Sequence, residues 1–429
     1  MESRASPSPT PGAANAPEVA EFQGRYGSYH VSELLLQKIW LRGAFDQSRA
    51  RTLAGATLTV LHPGTWNRLS GPDFRDARLL LDGHEVTGDI EVHFHAEAWK
   101  QHGHDTDRAY DRVVLHVVLF PPPAHGGGPL ARTTGGREIP VLVLVDLLWH
   151  DLEEYATDEA VAALSGRDAM PLVEHLLALE PAARMAAVRA AAELRWQEKL
   201  RYARLRLERC GWDEACHLTA LEILGYRANR EAMLRVGTTH PWSTWSRAVI
   251  DGRCGPSLDA LFAAGGEHWT LRGVRPANQP RLRLVQYQRW MTRAPDWPRR
   301  LRAFALPSID DHPAGESVVR QRRRAGHARL RAAIAHELTG DELGGLRLDT
   351  FAINLILPYL AAAPDTPRRD AETAAAWWRL WTPGDIAESL LVATRQLAAP
   401  GSRETRTNAM IQGLLGLHLQ RVCSADASR

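Results

Sequence analysis

The sequence predicts an α/β (α+β) N-terminal domain followed by an all-α C-terminal domain. Three observations carry this. At 429 residues the chain exceeds one ordinary core, since domains run to roughly 100–200 residues. Between positions 57 and 145, short apolar or alternating runs are separated by Gly, Pro and Asn, the pattern of strands and turns. From Asp151 onward the chain changes to Ala/Leu/Arg/Glu-rich stretches of helical period. The expected division is a disordered tail over residues 1–21, an α/β domain over 22–150 and a helical domain over 151–429.

Taken in order, the opening MESRASPSPTPGAANAP has no apolar stretch after Arg4, so it reads as a disordered Pro/Ala/Ser tail, neither signal peptide nor anchor. His30–Arg42 carries Leu34, Leu35, Ile39 and Trp40 at helical spacing, with Ser32 as its N-cap. Strands are expected at Thr57–Leu61, Ala77–Leu81, Val86–Phe94, Arg112–Phe120 and Ile139–Val145, with Pro121–Pro129 a surface loop. Helices are expected at Pro181–Glu208, opened by a proline in its first turn, and at Trp212–Leu224, Ala328–Leu338, Phe351–Ala362, Ala374–Leu380 and Asp385–Leu397.

Composition narrows the classes. Hydrophobic residues at 45% and charged residues at 24% are globular values, and the longest apolar runs fall far short of the ~20 residues that span a bilayer. A soluble, cytoplasmic chain with no membrane partner is expected. Cys210, Cys216, Cys254 and Cys423 form no C-x-x-C pair, which excludes a disulfide framework and a thiolate zinc finger. The 52 basic residues nearly balance 50 acidic ones, and only Lys38, Lys100 and Lys199 are lysines. Such an arginine bias follows from a GC-rich genome and is weak evidence for nucleic acid. Of 18 histidines, six (His84, His93, His95, His102, His104, His116) lie between positions 84 and 116.

That cluster locates the chemistry. In Gly88–His93 (GDIEVH), Asp89, Glu91 and His93 alternate with Ile90 and Val92, so a strand places the polar three on one face. A solvated edge strand would read the same way. Nearby stand Asp73 after Pro72, then His102, His104, Asp105 and Asp107 in HGHDTD, and His116 within an apolar strand, where a satisfied core histidine is the ordinary role.

The order N-x-x-x-G-P-D-F (Asn67–Phe74), G-x-[IV]-E-[IV]-H (Gly88–His93), W-x-x-H-x-H-x-x-D-x-A-Y-D (Trp99–Asp111) and V-x-L-H-V-V (Val113–Val118) resembles the bacterial family known as domain of unknown function 2851. Downstream, Arg275–Leu284 and Asn354–Leu360 (NLILPYL) are similar to its helical portion. That name carries no activity. Asp73 after Pro72, followed beyond a hairpin by Glu91-Val92-His93, also resembles the PD-(D/E)xK nuclease pattern, with His93 where the pattern has lysine.

The nuclease resemblance implies a metal-dependent hydrolase of phosphodiester bonds in DNA or RNA. Asp73 and Glu91 would hold Mg²⁺, with Mn²⁺ able to serve in its place, because a hard cation takes carboxylate oxygens and acidifies the attacking water. His93 would replace the lysine as base or donor, unless Lys38 or Lys100 migrates into that role. Glu33 would be the extra acid on the first helix, and Asn67, His102, His104, Asp107 and His116 would support the site. Two alternatives stay open. The histidines could instead hold Zn²⁺ in a hydrolase, through His102, His104 and Asp107 with His93, His95 or His116. Or the chain is a non-catalytic binding protein, with Arg320–Arg324, Arg329, Arg331, Arg275, Arg281 and Arg283 meeting phosphates, Trp377, Trp378 and Trp381 stacking on bases, and the helical domain taking a protein partner or a second copy.

Overall fold

A computed structural model of the chain describes residues 32–122, 131–164, 170–250, 255–309, 316–386, 388–397 and 406–426. The expected tail over 1–21, and Pro121–Pro129 from residue 123 on, lie outside these residues.

The first helix, α1 (Glu33–Arg42), buries Leu35, Leu36, Ile39 and Trp40 and ends on Gly43 in the left-handed conformation, φ 60°. Ser32 precedes it with extended backbone, but its hydroxyl makes no capping bond. Strands β1 (Leu58–His62), β2 (Thr65–Trp66), β3 (Phe74–Leu81) and β4 (His84–His93) follow. A short helix α2 (Ala98–Gln101) leads to β5 (Val113–Val118) and β6 (Val141–Val143). The sheet order is β1-β3-β4-β5-β6, with β2 also paired to β3. The β1–β3 and β3–β4 pairs are antiparallel, and β4–β5 and β5–β6 are parallel.

Two local features fix this arrangement. Asp82 and Gly83 both have positive φ, 47° and 81°, so the β3–β4 hairpin closes on the Asp-Gly pair that suits the right-handed strand twist. A bulge separates Phe74 and Ala77, with Asp76 at φ 56°. The bulge is anchored by the Asp76 amide donating to Asp89 Oδ1 at 3.1 Å and by Arg112 on the Asp76 carboxylate at 2.7 Å.

β4 is an interior strand, and it is buried on both faces from Gly88 to His93, which overturns the solvated-edge reading. Ile90 and Val92 join α1, Phe74, Leu115, Val117 and Leu142 in one core. Trp99, Val113, Ala131 and Ile139 make a smaller cluster, with Tyr110 packed against it. A Cβ at Gly88 would fall 2.4 Å from the Arg112 carbonyl oxygen and 2.4 Å from Val114 Cγ1, so only glycine lets β4 approach the turn before β5. Gly88→Ala is therefore expected to cost about 1–3 kcal/mol, as overpacking does. Urea unfolding measures it, and an unchanged midpoint would contradict this packing.

The chain then becomes helical, as expected, through α3 (Leu152–Leu164), α4 (Met170–Leu177), α5 (Pro181–Cys210), α6 (Trp212–Gly225) and further helices ending with Asn408–Asp426. Pro181 sits in the first turn of α5. Leu152 and Tyr155 of α3 belong to the sheet's core, and Tyr155 Oη donates to the Ala44 carbonyl at 2.6 Å. Packing of the sheet unit thus extends past residue 150. The expected continuous helices at Ala328–Leu338 and Phe351–Ala362 each contain a π-helical turn, Ile334–Leu338 and Ala352–Ile356. The second precedes Pro358, whose missing amide cannot serve a regular helix.

Trp377, Trp378 and Trp381 are fully buried and donate to Pro307 O, Ile353 O and Asp349 Oδ1, so they cannot stack on bases. The basic cluster is partly internal as well. Arg322 donates to the carbonyls of Leu380, Trp381 and Arg406, Arg331 pairs with Asp349 at 2.9 Å, and Arg281 pairs with Asp259 at 3.0 Å. No helix among the described residues is long and apolar enough to cross a membrane.

Candidate metal centre

The site forms where β3 runs out beside β4. The last β3–β4 pair is Phe74 with Ile90, so the Val92 amide has no strand partner. Asp73 Oδ2 accepts from it at 3.0 Å, while the Asp73 amide donates to Glu91 Oε2 at 3.0 Å. Each carboxylate is held by the other residue's strand. The remaining Asp73 oxygen accepts from Gln37 Nε2 at 2.6 Å, and Gln37 Oε1 accepts from Trp66 Nε1 at 3.0 Å. Gln37 lies one turn from Glu33 on α1, so the two share a helix face.

The other half arrives by topology. Parallel strands need a crossover connection, and the one between β4 and β5 carries H-G-H back over His93. His102 ends α2, and Gly103 at φ 73° turns the chain so that the His104 amide donates to the Trp99 carbonyl at 3.0 Å. Ring nitrogens of His93, His102 and His104 come within 4.8 Å of one another. Glu91 Oε1 lies 3.5 Å from His93 Nε2 and 3.4 Å from His104 Nε2. His102 Nδ1 is 3.2 Å from His93 Nε2, and His116 Nε2 is 2.9 Å from His93 Nδ1. His116, fully buried on β5, fixes the orientation of the His93 ring. Tyr110 stacks on His104 at a centroid distance of 3.8 Å.

The electrostatics are those of a site short of positive charge. Glu91 is 6% exposed and His93 2%. Burial, then the Glu91 charge, then Glu33 push Asp73 up to about 8, against the bonds from Val92 and Gln37. Burial likewise raises Glu91 to about 8, reinforced by Glu33 and opposed by the Asp73 amide. Burial, then the neighbouring His116, His102 and His104, lower His93 to about 2, and burial lowers His116 to about 3. Burial also lowers His104, although Asp107 and Asp105 pull the other way. The Tyr110 hydroxyl is held protonated by burial and the nearby Glu91. A cation bound here would displace the carboxyl protons and take the neutral imidazoles as they stand. His104 Nε2, buried with no hydrogen-bond partner among the described residues, is free to serve as a ligand.

The sequence-predicted residues divide. Asp73, Glu91, His93, His102, His104 and His116 converge, and Glu33 is close enough to raise both carboxyls. Asn67 instead fastens the loop before Asp73, donating to the carbonyls of Ser70 and Pro72 and accepting from the Leu69 amide. Asp107 is exposed and caps the turn at Arg108–Tyr110 through the Ala109 amide. Among the histidines of the zinc reading, His95 is exposed and stacks on Phe120. Of the two lysines considered for the missing role, Lys38 pairs with Glu159 at 2.7 Å, away from the carboxylates, and Lys100 is exposed on α2. His93, neutral through burial, cannot supply the lysine's charge. Gln37 and Tyr110 went unassigned in the sequence, although the helix period relating Gln37 to Glu33 was a usable signal.

The family model described as "Protein of unknown function (DUF2851)" matches residues 33–253, which takes in the sheet and every residue of this site but not the downstream segments at 275–284 and 354–360. Comparison with curated proteins and with solved structures finds no match. With more than half its length matched, including the run from Asp73 to His116, the chain belongs to the DUF2851 family of proteins of unknown function.

Proposed function

We propose that this site is a divalent-metal hydrolase centre acting on the phosphodiester backbone of nucleic acid. The observation that carries the reading is Glu91 Oε1, set within 3.5 Å of two imidazole nitrogens while Glu91 Oε2 is tied to the Asp73 amide. One residue thereby joins a carboxylate pair to a histidine triad. The placement of Asp73 at the head of β3, and of Glu91 and His93 on the neighbouring β4, supports the phosphodiester assignment through its resemblance to PD-(D/E)xK nucleases.

The residues take distinct parts. Glu91 and Asp73 supply oxygen donors, and His93, His102 and His104 nitrogen donors. A mixed nitrogen and oxygen set favours Zn²⁺ or Mn²⁺, whereas Mg²⁺ would rely on Asp73 and Glu91 alone. When bound, such a metal acidifies a coordinated water and offsets charge on the phosphate. Gln37 orients Asp73, and His116 orients His93.

The test is cleavage of plasmid, linear and single-stranded substrates with Mg²⁺, Mn²⁺ or Zn²⁺, alongside the metal content of the protein. His102 is exposed, so His102→Ala leaves the fold intact and is expected to weaken Zn²⁺ or Mn²⁺ binding by at least about tenfold. Absence of cleavage with every metal removes the hydrolase reading. Undiminished Zn²⁺ and Mn²⁺ affinity in His102→Ala removes His102 from the centre.

A further inference from the structure

A cleft of about 1750 Å³ lies apart from the metal centre, walled by α3, α5 and α6 and by loops of the helical half. Its lining holds ten arginine and lysine side chains against six carboxylates. The carboxylates are largely spent. Glu159 takes both Lys38 and Arg42, Asp158 takes Arg230, Asp385 takes Arg347, and Glu222 takes both Arg206 and Arg230. The cations are not, because the side chains of Lys199, Arg227, Arg275 and Arg406 line the cleft without a hydrogen bond or ion pair among the described residues. Two buried hydroxyls on the same wall, Thr157 Oγ1 and Tyr202 Oη, also have no hydrogen-bond partner among the described residues. Uncommitted cations and orphaned donors around one space are the features of an anion site.

We propose that this cleft binds the phosphate backbone of a nucleic-acid strand. Its volume exceeds the ~300–1000 Å³ of small-molecule pockets, which favours a polymer over a lone phosphate or nucleotide. The cleft and the metal centre lie at opposite ends of α1. Glu33 stands at one end of that helix, and Arg42, at the other, lines the cleft. At 1.5 Å per residue the two are about 14 Å apart along the axis, within reach of one bound strand. The choice of nucleic acid as the anion rests on the proposed function, whereas the preference for phosphate rests on the cleft alone.

The test is fluorescence anisotropy with labelled single- and double-stranded oligonucleotides in EDTA, so that binding is read without catalysis. Arg227 and Arg275 are exposed, and the double variant R227E/R275E is expected to keep the wild-type urea midpoint. It should bind at least about tenfold more weakly, with the slope of log affinity against log salt reduced by about one for each site. Lys199→Ala should weaken binding in the same direction. Wild-type affinity and salt slope in the double variant would overturn the proposal. So would displacement of the oligonucleotide by inorganic phosphate or nucleoside triphosphate at equal phosphate concentration, which marks a small-anion site. Binding without cleavage under any metal would instead remove the hydrolase reading and leave the cleft's role standing.

Discussion

Glu91→Gln is expected to abolish metal-dependent cleavage while stabilising the metal-free protein above neutral pH. The amide keeps the side chain's size but removes a carboxylate that touches both His93 and His104. Metal stabilisation of a phosphoryl transition state amounts to several kcal/mol, so its loss is on the order of a thousandfold in rate. The stability change has the opposite sign because Glu91 is raised to about 8, chiefly by burial. Its folded state keeps a proton that the unfolded chain releases above pH ~4.5, and stability falls as pH rises toward 8. Asp73, raised to the same region, acts in the same direction. His93 and His116 act the other way. They are neutral when folded, at about 2 and about 3, but protonate in the unfolded chain below about 6.5, so their effect is lost stability as pH falls below that point. From pH ~6.5 to 8 the carboxyls alone should set the slope, on the order of 2 kcal/mol for one titrating group. Urea midpoints of the metal-free protein across that window should decline for wild type and decline less steeply in Glu91→Gln. A flat wild-type profile would show that the two carboxyls are not held protonated.

Arg206→Ala is expected to be the most destabilising single change among the described ion pairs. Arg206 on α5 donates to Glu222 Oε2 at 2.7 Å and Thr219 Oγ1 at 2.6 Å, and it contacts His150 at the end of the sheet unit. His150 in turn lies 3.3 Å from Glu154 and 3.6 Å from Glu222. Burial works to raise Glu154, yet His150 and Arg206 outweigh it and hold that carboxyl well below its usual range. His150, Glu154 and Glu222 have the spacing of a metal site, but the Arg206 guanidinium already supplies the cation. Removing one partner from a buried ion network leaves uncompensated charge and costs about 3–5 kcal/mol. Because Glu222 keeps Arg230 at 3.0 Å, the lower half of that range is expected. A loss under about 1 kcal/mol in urea unfolding would mean that the junction between sheet and helices rests on apolar packing alone.

The sequence was most legible where period and turn chemistry agree. Asp82-Gly83 between two apolar runs marks the hairpin, and the alternation along β4 sends Ile90 and Val92 into the core and brings Glu91 and His93 together. It was silent on what covers that face. Whether β4 is an edge or an interior strand depends on β5 pairing in parallel from 20 or more residues downstream, which no local pattern encodes. Asn67 and Asp107 were drawn into the site by proximity in sequence, yet both serve turns, the usual occupation of short polar side chains in loops. Gln37 was missed although it sits one turn from Glu33, since its bond to Asp73 forms only when α1 packs on the sheet. The tryptophans at 377, 378 and 381 read as core or as stacking platform from spacing alone, and burial decides for core.

Glu91 and the three histidines are proposed to share one metal ion. Anomalous diffraction from crystals grown with Zn²⁺ or Mn²⁺, collected at the edge of that metal, tests it most directly. A peak is expected beside Glu91 Oε1, at about 2.0–2.2 Å from the carboxylate oxygen and from nitrogens of His93, His102 and His104. A metal bound only elsewhere, or no peak at the site at saturating metal, would contradict it.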